Sequence, residues 1–310
     1  MKHHFIYLFL DGVGLAPAAV ENPFAPYHPN GNGKTVEPMP YLAARLGSSL
    51  LAGVEISRPD MLLRPVDASL GVPGRPQSAT GQAALYTGRN APAFLGRHLT
   101  GFANGSLRIL LEESSLFKQV KAAGGSVTSA NLYTPGYFAA IEQRLIRYSV
   151  GALLNLTAEV AFRSPEDYER GEALFWDITN RYAQRDYQPS YLEPLEAGAR
   201  LARLGEQHDV TLFECYLPDF AGHNMDMAQA HEVLADIDGL IEGILQSMSA
   251  ETSLVICSDH GNIENLGVKL HTLNPVPLLV FGPAAPFFAG VENIMGLTPV
   301  MVEQIKARKI

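Results

Sequence analysis

Five short apolar runs, residues 5–10, 126–132, 210–217, 253–257 and 277–281, constrain the fold of this chain more than any other feature. Each is rich in β-branched, aromatic or leucine side chains, and turn residues bound most of them, so each reads as a buried strand. Helical patterns lie between them. In 227–248, Val233, Ile237, Leu240, Ile241, Ile244 and Met248 recur on one helical face. Ser164-Pro165-Glu166-Asp167 is a capping box opening a helical pattern over 165–184. Segments 113–123 and 193–207 are also expected to be helical, and Gly124-Gly125 ends the former. Strands apolar on both faces and alternating with helices predict an α/β fold, with a mostly parallel central sheet covered by helices on both faces. Stretches 17–40 and 58–78, rich in Pro, Gly and Asn or Asp, are expected to be loops.

Composition narrows the class. Of 310 residues, 47% are hydrophobic and 18% charged, enough to bury a sizeable core and unlike a disordered chain. A formal net charge of −9 without a Lys/Arg block argues against a nucleic-acid or anionic-membrane surface. The longest N-terminal apolar run is shorter than a signal-peptide core or a membrane span. The two cysteines, Cys215 and Cys257, both lie in apolar runs and read as reduced core residues, which suits a cytoplasmic protein.

Three of the strands end in acids. Residues 5–10 run into Asp11-Gly12-Val13-Gly14, residues 212–217 into Pro218-Asp219-Phe220-Ala221-Gly222-His223, and residues 253–257 into Ser258-Asp259-His260. His271 follows eleven residues after His260. In such sheets ligands bind beyond the carboxyl ends of the strands. Six carboxylate and imidazole side chains gathered there suit two divalent cations, zinc or manganese, which can stabilise both oxygens of a phosphoryl transfer. Three carboxylates against two dications leave the site locally positive, as a small phosphorylated substrate requires. A nucleophile is available in GRPQSATGQAALYTGRN, residues 74–90, where Ser78 stands at a loop-to-helix turn and Thr80 is a second hydroxyl. Arg75 and Arg89 flank this segment and Lys269 lies beside His271, so all three are candidate substrate contacts.

Taken together, LFLDGVG, SATGQAALYTGR, LPDFAGH, SDHGNIE and HTLNPVP resemble, in order, the motifs of the alkaline phosphatase superfamily. They are most similar to its branch of cofactor-independent phosphoglycerate mutase and phosphopentomutase. SDHGN-x-E followed by H-T-x-N-P-V-P is the specific part; residues 91–205 carry no motif of the family. The resemblance implies that Asp11, Ser78, Asp259 and His260 hold one metal and Asp219, His223 and His271 the other. It also implies that Ser78 is the phosphorylated nucleophile. Gln82 stands where the mutase pattern has histidine. The large inserted cap of those mutases does not fit in this length, so a single domain over 1–310 is expected, with at most a small cap within 133–192. A closing lid is what keeps water from a phosphorylated enzyme. The expectation is therefore a hydrolase working through phosphoserine, with a phosphomutase or a non-catalytic metal-binding protein of the same fold as alternatives.

Overall fold

The computed structural model describes residues 3–29, 33–183 and 186–308. Seven strands form one sheet: β1 (His4–Leu10), β2 (Ile56–Arg58), β3 (Met61–Val66), β4 (Val127–Ser129), β5 (Val210–Cys215), β6 (Thr252–Cys257) and β7 (Val276–Phe281). Their order across the sheet is β2-β3-β7-β6-β1-β5-β4. The half containing β6, β1, β5 and β4 is parallel, whereas β7, β3 and β2 join it through antiparallel pairings. The sheet is thus mixed, although β1, β3, β4, β5 and β6 share one direction.

The alternation in β1 shows why its run is apolar throughout. Phe5, Tyr7 and Phe9 enter one core cluster, and Ile6, Leu8 and Leu10 enter another. Side chains of period two on a sheet covered from both sides must all be apolar. The helices Ser78–Thr87, Gly105–Ser114, Leu116–Ala122 and Leu297–Ala307 contribute to the first cluster. The helices Pro40–Leu46, Pro194–Gly205 and Met227–Ser247 contribute to the second.

Differences from the sequence reading have local causes. Residues 61–66 form β3 rather than a loop; Arg64 and Pro65 interrupt an otherwise apolar strand and hide its pattern. The helical pattern over 165–184 is realised only as Pro165–Glu169. The Ser164 capping box forms, but Gly171, Ile178 and Asn180 adopt positive φ and the chain turns irregular. Leu174 N there donates to the Ala130 carbonyl and the Leu174 carbonyl accepts from Leu132 N, so tertiary pairing replaces helix. The helix expected over 113–123 is two, broken at Ser115. Residues 133–192 form an irregular excursion with the short helices Pro135–Glu142, Val150–Thr157 and Pro165–Glu169. Both cysteines are buried and free, and no helix among the described residues is long and apolar enough to cross a membrane.

Candidate metal centre

The carboxyl ends of β1, β5 and β6, adjacent in the sheet, bring Asp11, Asp219, Asp259 and His260 together. The glycines explain how closely. Gly12 has φ +73°, and an added Cβ would lie 2.8 Å from the Asp219 Cα, so only glycine lets that backbone pass. Gly81, on the Ser78–Thr87 helix, leaves no room for a Cβ, which would meet the Asp259 Cβ at 2.7 Å. The serine helix is therefore pressed against the Asp259 loop. In an ordinary helix Gly→Ala gains about 1 kcal/mol. Here the clash dominates, and Gly81→Ala is expected to destabilise by roughly 1–2 kcal/mol. The thermal midpoint should fall by about 2–3 °C, measurable by calorimetry, and turnover should fall with it as Ser78 is displaced.

Two sets of donors converge. In the first, His260 Nε2 lies 3.1 Å from Ser78 Oγ, 3.4 Å from Asp11 Oδ1 and 3.5 Å from Asp259 Oδ2. In the second, Asp219 is 3.4 Å from both His223 Nε2 and His271 Nε2, and the two Nε2 atoms are 3.2 Å apart. The His260 and His271 rings stack at 3.7 Å between the two sets. Tetrahedral ligand bonds of about 2.0–2.2 Å place neighbouring donors roughly 3.3–3.6 Å apart. The observed spacings are close to those edges.

Hydrogen bonding at the other ring nitrogens tests the fit to cations. His223 Nδ1 is 3.1 Å from the Lys269 carbonyl, and His271 Nδ1 is 3.1 Å from the Pro76 carbonyl. A carbonyl only accepts, so each Nδ1 carries a proton, and the two Nε2 atoms face each other beside Asp219. Two ring nitrogens at 3.2 Å need a positive charge between them, a proton or a cation. Asp11 Oδ1 is likewise buried without a hydrogen-bond donor. These are the features of a cation site, and the donor set fits one.

The electrostatics agree. Burial, then Asp259 and Asp219, push the Asp11 carboxyl well above its ordinary range. Burial, with Asp219 next, raises Asp259 to about 8. Burial, with His271 next, holds His260 well below the usual imidazole value, and burial also lowers His271. Desolvation and like charge thus oppose ionised carboxylates here, and cations remove both penalties.

The remaining candidates separate. Ser78 opens its helix from the extended Gln77 and is partly accessible. Thr80 is buried; its hydroxyl donates to the Gln77 carbonyl and accepts from Leu99 N, so it faces away from this chemistry. Arg75 is exposed in the loop leading to Ser78. Arg89 is exposed beyond the opposite end of the helix, about 16 Å along its axis, and the structure does not bring it to Ser78. Lys269 is exposed and meets the cluster through its carbonyl.

Supporting residues went unassigned in the sequence. Glu264, 1% exposed, accepts from Gly14 N (3.0 Å), Asn262 N (2.8 Å), Asn274 Nδ2 (3.0 Å) and the Thr272 hydroxyl. It clasps three loops of the site to one another. Asn262 donates to Asp219 Oδ1 at 2.7 Å, and Gln82 to Asp259 Oδ2 at 3.4 Å. A lone glutamate among Gly and Asn, followed by Thr272 and Asn274, was the available signal.

Comparison with known proteins follows the same lines. Residues 183–308 match the family model of the metalloenzyme superfamily. The 2,3-bisphosphoglycerate-independent phosphoglycerate mutase of Ruegeria pomeroyi is 31% identical over 128 residues, 38% of this chain and 25% of that protein. Its namesake from Cereibacter sphaeroides is 25% identical over 143 residues, 44% of this chain and 28% of that protein. The chain thus matches these curated relatives over about a quarter of their length. The cold-active alkaline phosphatase of a psychrophilic Shewanella superposes with a TM-score of 0.52 at 14% identity, over 96% of this chain and 99% of that one. Residues 183–308 are thus similar to the metalloenzyme superfamily, and the fold of the chain is similar to that of an alkaline phosphatase.

Proposed function

We propose that the protein catalyses metal-dependent phosphoryl transfer on a small phosphorylated substrate, with Ser78 as the group that receives the phosphoryl. The observation that carries this reading is the convergence of the His223 and His271 Nε2 atoms, 3.2 Å apart, on Asp219, beside the buried carboxyls of Asp11 and Asp259, which burial and like charge push upward. Asp11, Ser78, Asp259 and His260 would hold one divalent cation, and Asp219, His223 and His271 a second, zinc or manganese. When bound, the cations supply positive charge to the transferring phosphoryl group and to an ionising Ser78 hydroxyl.

The chain's own groups do the rest. Ser78 presents its oxygen from the first turn of a helix, where unpaired backbone N–H groups favour an anion. His260 Nε2 and Ser78 Oγ, 3.1 Å apart, stand as neighbouring donors to that cation. Asn262 and Gln82 hold Asp219 and Asp259 in place, and Glu264 keeps the three loops in register. Attack of Ser78 Oγ on phosphorus forms the O–P bond as the ester P–O bond breaks, leaving phosphoserine and an alcohol.

What accepts the phosphoryl next separates two readings. The described residues of 133–192 build only short helices, which favours water as acceptor and hence hydrolysis. The names of the curated relatives favour return to a second hydroxyl of the substrate, a mutase. Metal-loaded protein incubated with p-nitrophenyl phosphate and, separately, with 3-phosphoglycerate decides. Free phosphate from the former marks a hydrolase, and 2-phosphoglycerate without free phosphate a mutase. Two metals per chain with neither product would leave a metal-binding protein and overturn the reading. The two buried free cysteines accord with a reducing compartment such as the cytoplasm.

A further inference from the structure

Beside the cluster, over the carboxyl ends of β5 and β4, lies a cavity of about 260 Å³. Its wall includes Tyr133, Tyr137, Trp176 and Tyr216, and Arg147 is the one charged side chain lining it. The strand order places it beside the metal centre, which spans the ends of β6, β1 and β5, one or two strand spacings or ~5–10 Å away. Tyr216 of its wall lies between the two in sequence. It follows Cys215, whose carbonyl accepts from Asp11 N, and it precedes the Leu217–Asn224 helix that carries Asp219. Trp176 stacks on Tyr182, which meets Phe220 edge-on next to Asp219.

The wall is held rather than loose. The Tyr216 hydroxyl donates to Glu214 Oε2 at 2.9 Å, and Tyr86 donates to Glu214 Oε1 at 2.6 Å. Glu214 is 1% exposed, so the ring is pinned from inside the core. Apart from the buried Tyr137 hydroxyl, which has no hydrogen-bond partner, several polar groups of the wall are engaged by backbone. Asn131 bonds both the N–H and the carbonyl of Glu214, Thr134 accepts from Tyr137 N, and Ser149 accepts from Ala152 N. Arg147 is exposed and forms no ion pair with the described residues. The cavity therefore offers flat aromatic faces and one free guanidinium, a combination that selects a planar apolar group bearing negative charge.

We propose that this cavity binds the organic part of the substrate: a flat aromatic group carrying an anionic substituent that reaches Arg147, attached to the phosphate that lies at the metal centre. The proposal rests on the phosphoryl-transfer reading above for the phosphate end, while the cavity itself can be tested without turnover. Trp176 is the only tryptophan of the chain and lines the cavity, so its fluorescence reports occupancy.

The test titrates full-length protein with 1-naphthalenesulfonate, with and without chelator. Saturable quenching of Trp176 is expected in both conditions. Affinity should fall about 3–5-fold in Arg147→Ala and about 10-fold in Tyr137→Ala. Neutral 1-naphthol should bind about as weakly as the sulfonate binds Arg147→Ala, and should be indifferent to that change. With metal-loaded enzyme, 1-naphthyl phosphate should exceed phenyl phosphate in kcat/KM by about 10-fold, from the extra ring buried; their leaving groups are of similar acidity. No quenching, or quenching alike for naphthol and sulfonate and unchanged in both variants, overturns the cavity proposal even if turnover is found. Specific quenching without turnover of any phosphate ester instead counts against the phosphoryl-transfer reading.

Discussion

Ser78→Ala is expected to lower turnover of p-nitrophenyl phosphate by roughly 10³-fold or more, because it removes the only hydroxyl presented to the cluster. Thr80 cannot substitute, since its hydroxyl is committed to Gln77 and Leu99 and buried. The fold should tolerate the change. Ser78 is partly accessible and alanine is a good helix former, so the thermal midpoint should move little. Metal stoichiometry should hold as well, because three other donors remain in that set. The same experiment yields a positive signature: wild-type protein quenched in acid during turnover should carry phosphate on Ser78 by mass spectrometry, and the variant none. Retention of a tenth or more of wild-type activity would place the nucleophile elsewhere.

Metal removal is the second large effect, and it reads out in stability as well as activity. A site that binds only the folded chain adds about 4 kcal/mol at a thousandfold excess over Kd. Two such sites should raise the thermal midpoint on the order of 10 °C. Asp259→Asn should remove one metal per chain and most turnover. The gain should also depend on pH, with a sign set by the cluster. Asp11 and Asp259 have folded pKa values above their unfolded ones, the latter about 8. Their contribution is fully present below the unfolded carboxylate value and is lost as pH rises through the folded value. His260, lowered by burial, works oppositely: its cost is felt below about 6.5, where the unfolded imidazole is protonated. Chelated protein should therefore lose stability between about pH 6.5 and 8.5, where only the carboxylates act. Metal-loaded protein should not, since its carboxylates stay ionised. Denaturation scans with and without chelator measure both curves, and parallel curves across that window would contradict a cation site at these carboxylates.

Much of the site could be read from the chain because its donors are local punctuation. A buried parallel strand must be apolar to its end, so a carboxylate directly after it, as at Asp11 or Asp259, stands out and faces the ligand edge of the sheet. Asp219 and His223 were also legible as groups following a strand, although the Leu217–Asn224 helix that carries both appears only in the structure. Other features lacked such a mark. β3 went unread because Arg64 and Pro65 break its apolar run, and pairing with β7, remote in sequence, decides it. Residues 165–184 have a helix's start and a helix's pattern, yet bonds of Leu174 with Ala130 and Leu132 hold the stretch around it out of a helix. Glu264 stood in the SDHGN-x-E motif without a role; only the approach of Gly14, Asn262, Thr272 and Asn274 gives it a task. Arg89 was close to Ser78 in sequence, but a helix of ten residues carries it away.

The sequence by itself determined the α/β class, the edge of the sheet at which chemistry occurs, and the residue types gathered there. Burial imposes an apolar pattern that local order alone reveals, and polar side chains at strand ends interrupt it visibly. Tertiary structure alone decided the mixed strand directions, which imidazole nitrogens face each other, and the aromatic cavity beside the cluster. Those depend on contacts between segments far apart in the chain, such as Trp176 with Tyr216, or His271 with Pro76. Their energies belong to the packed arrangement and leave no periodic mark in any one segment.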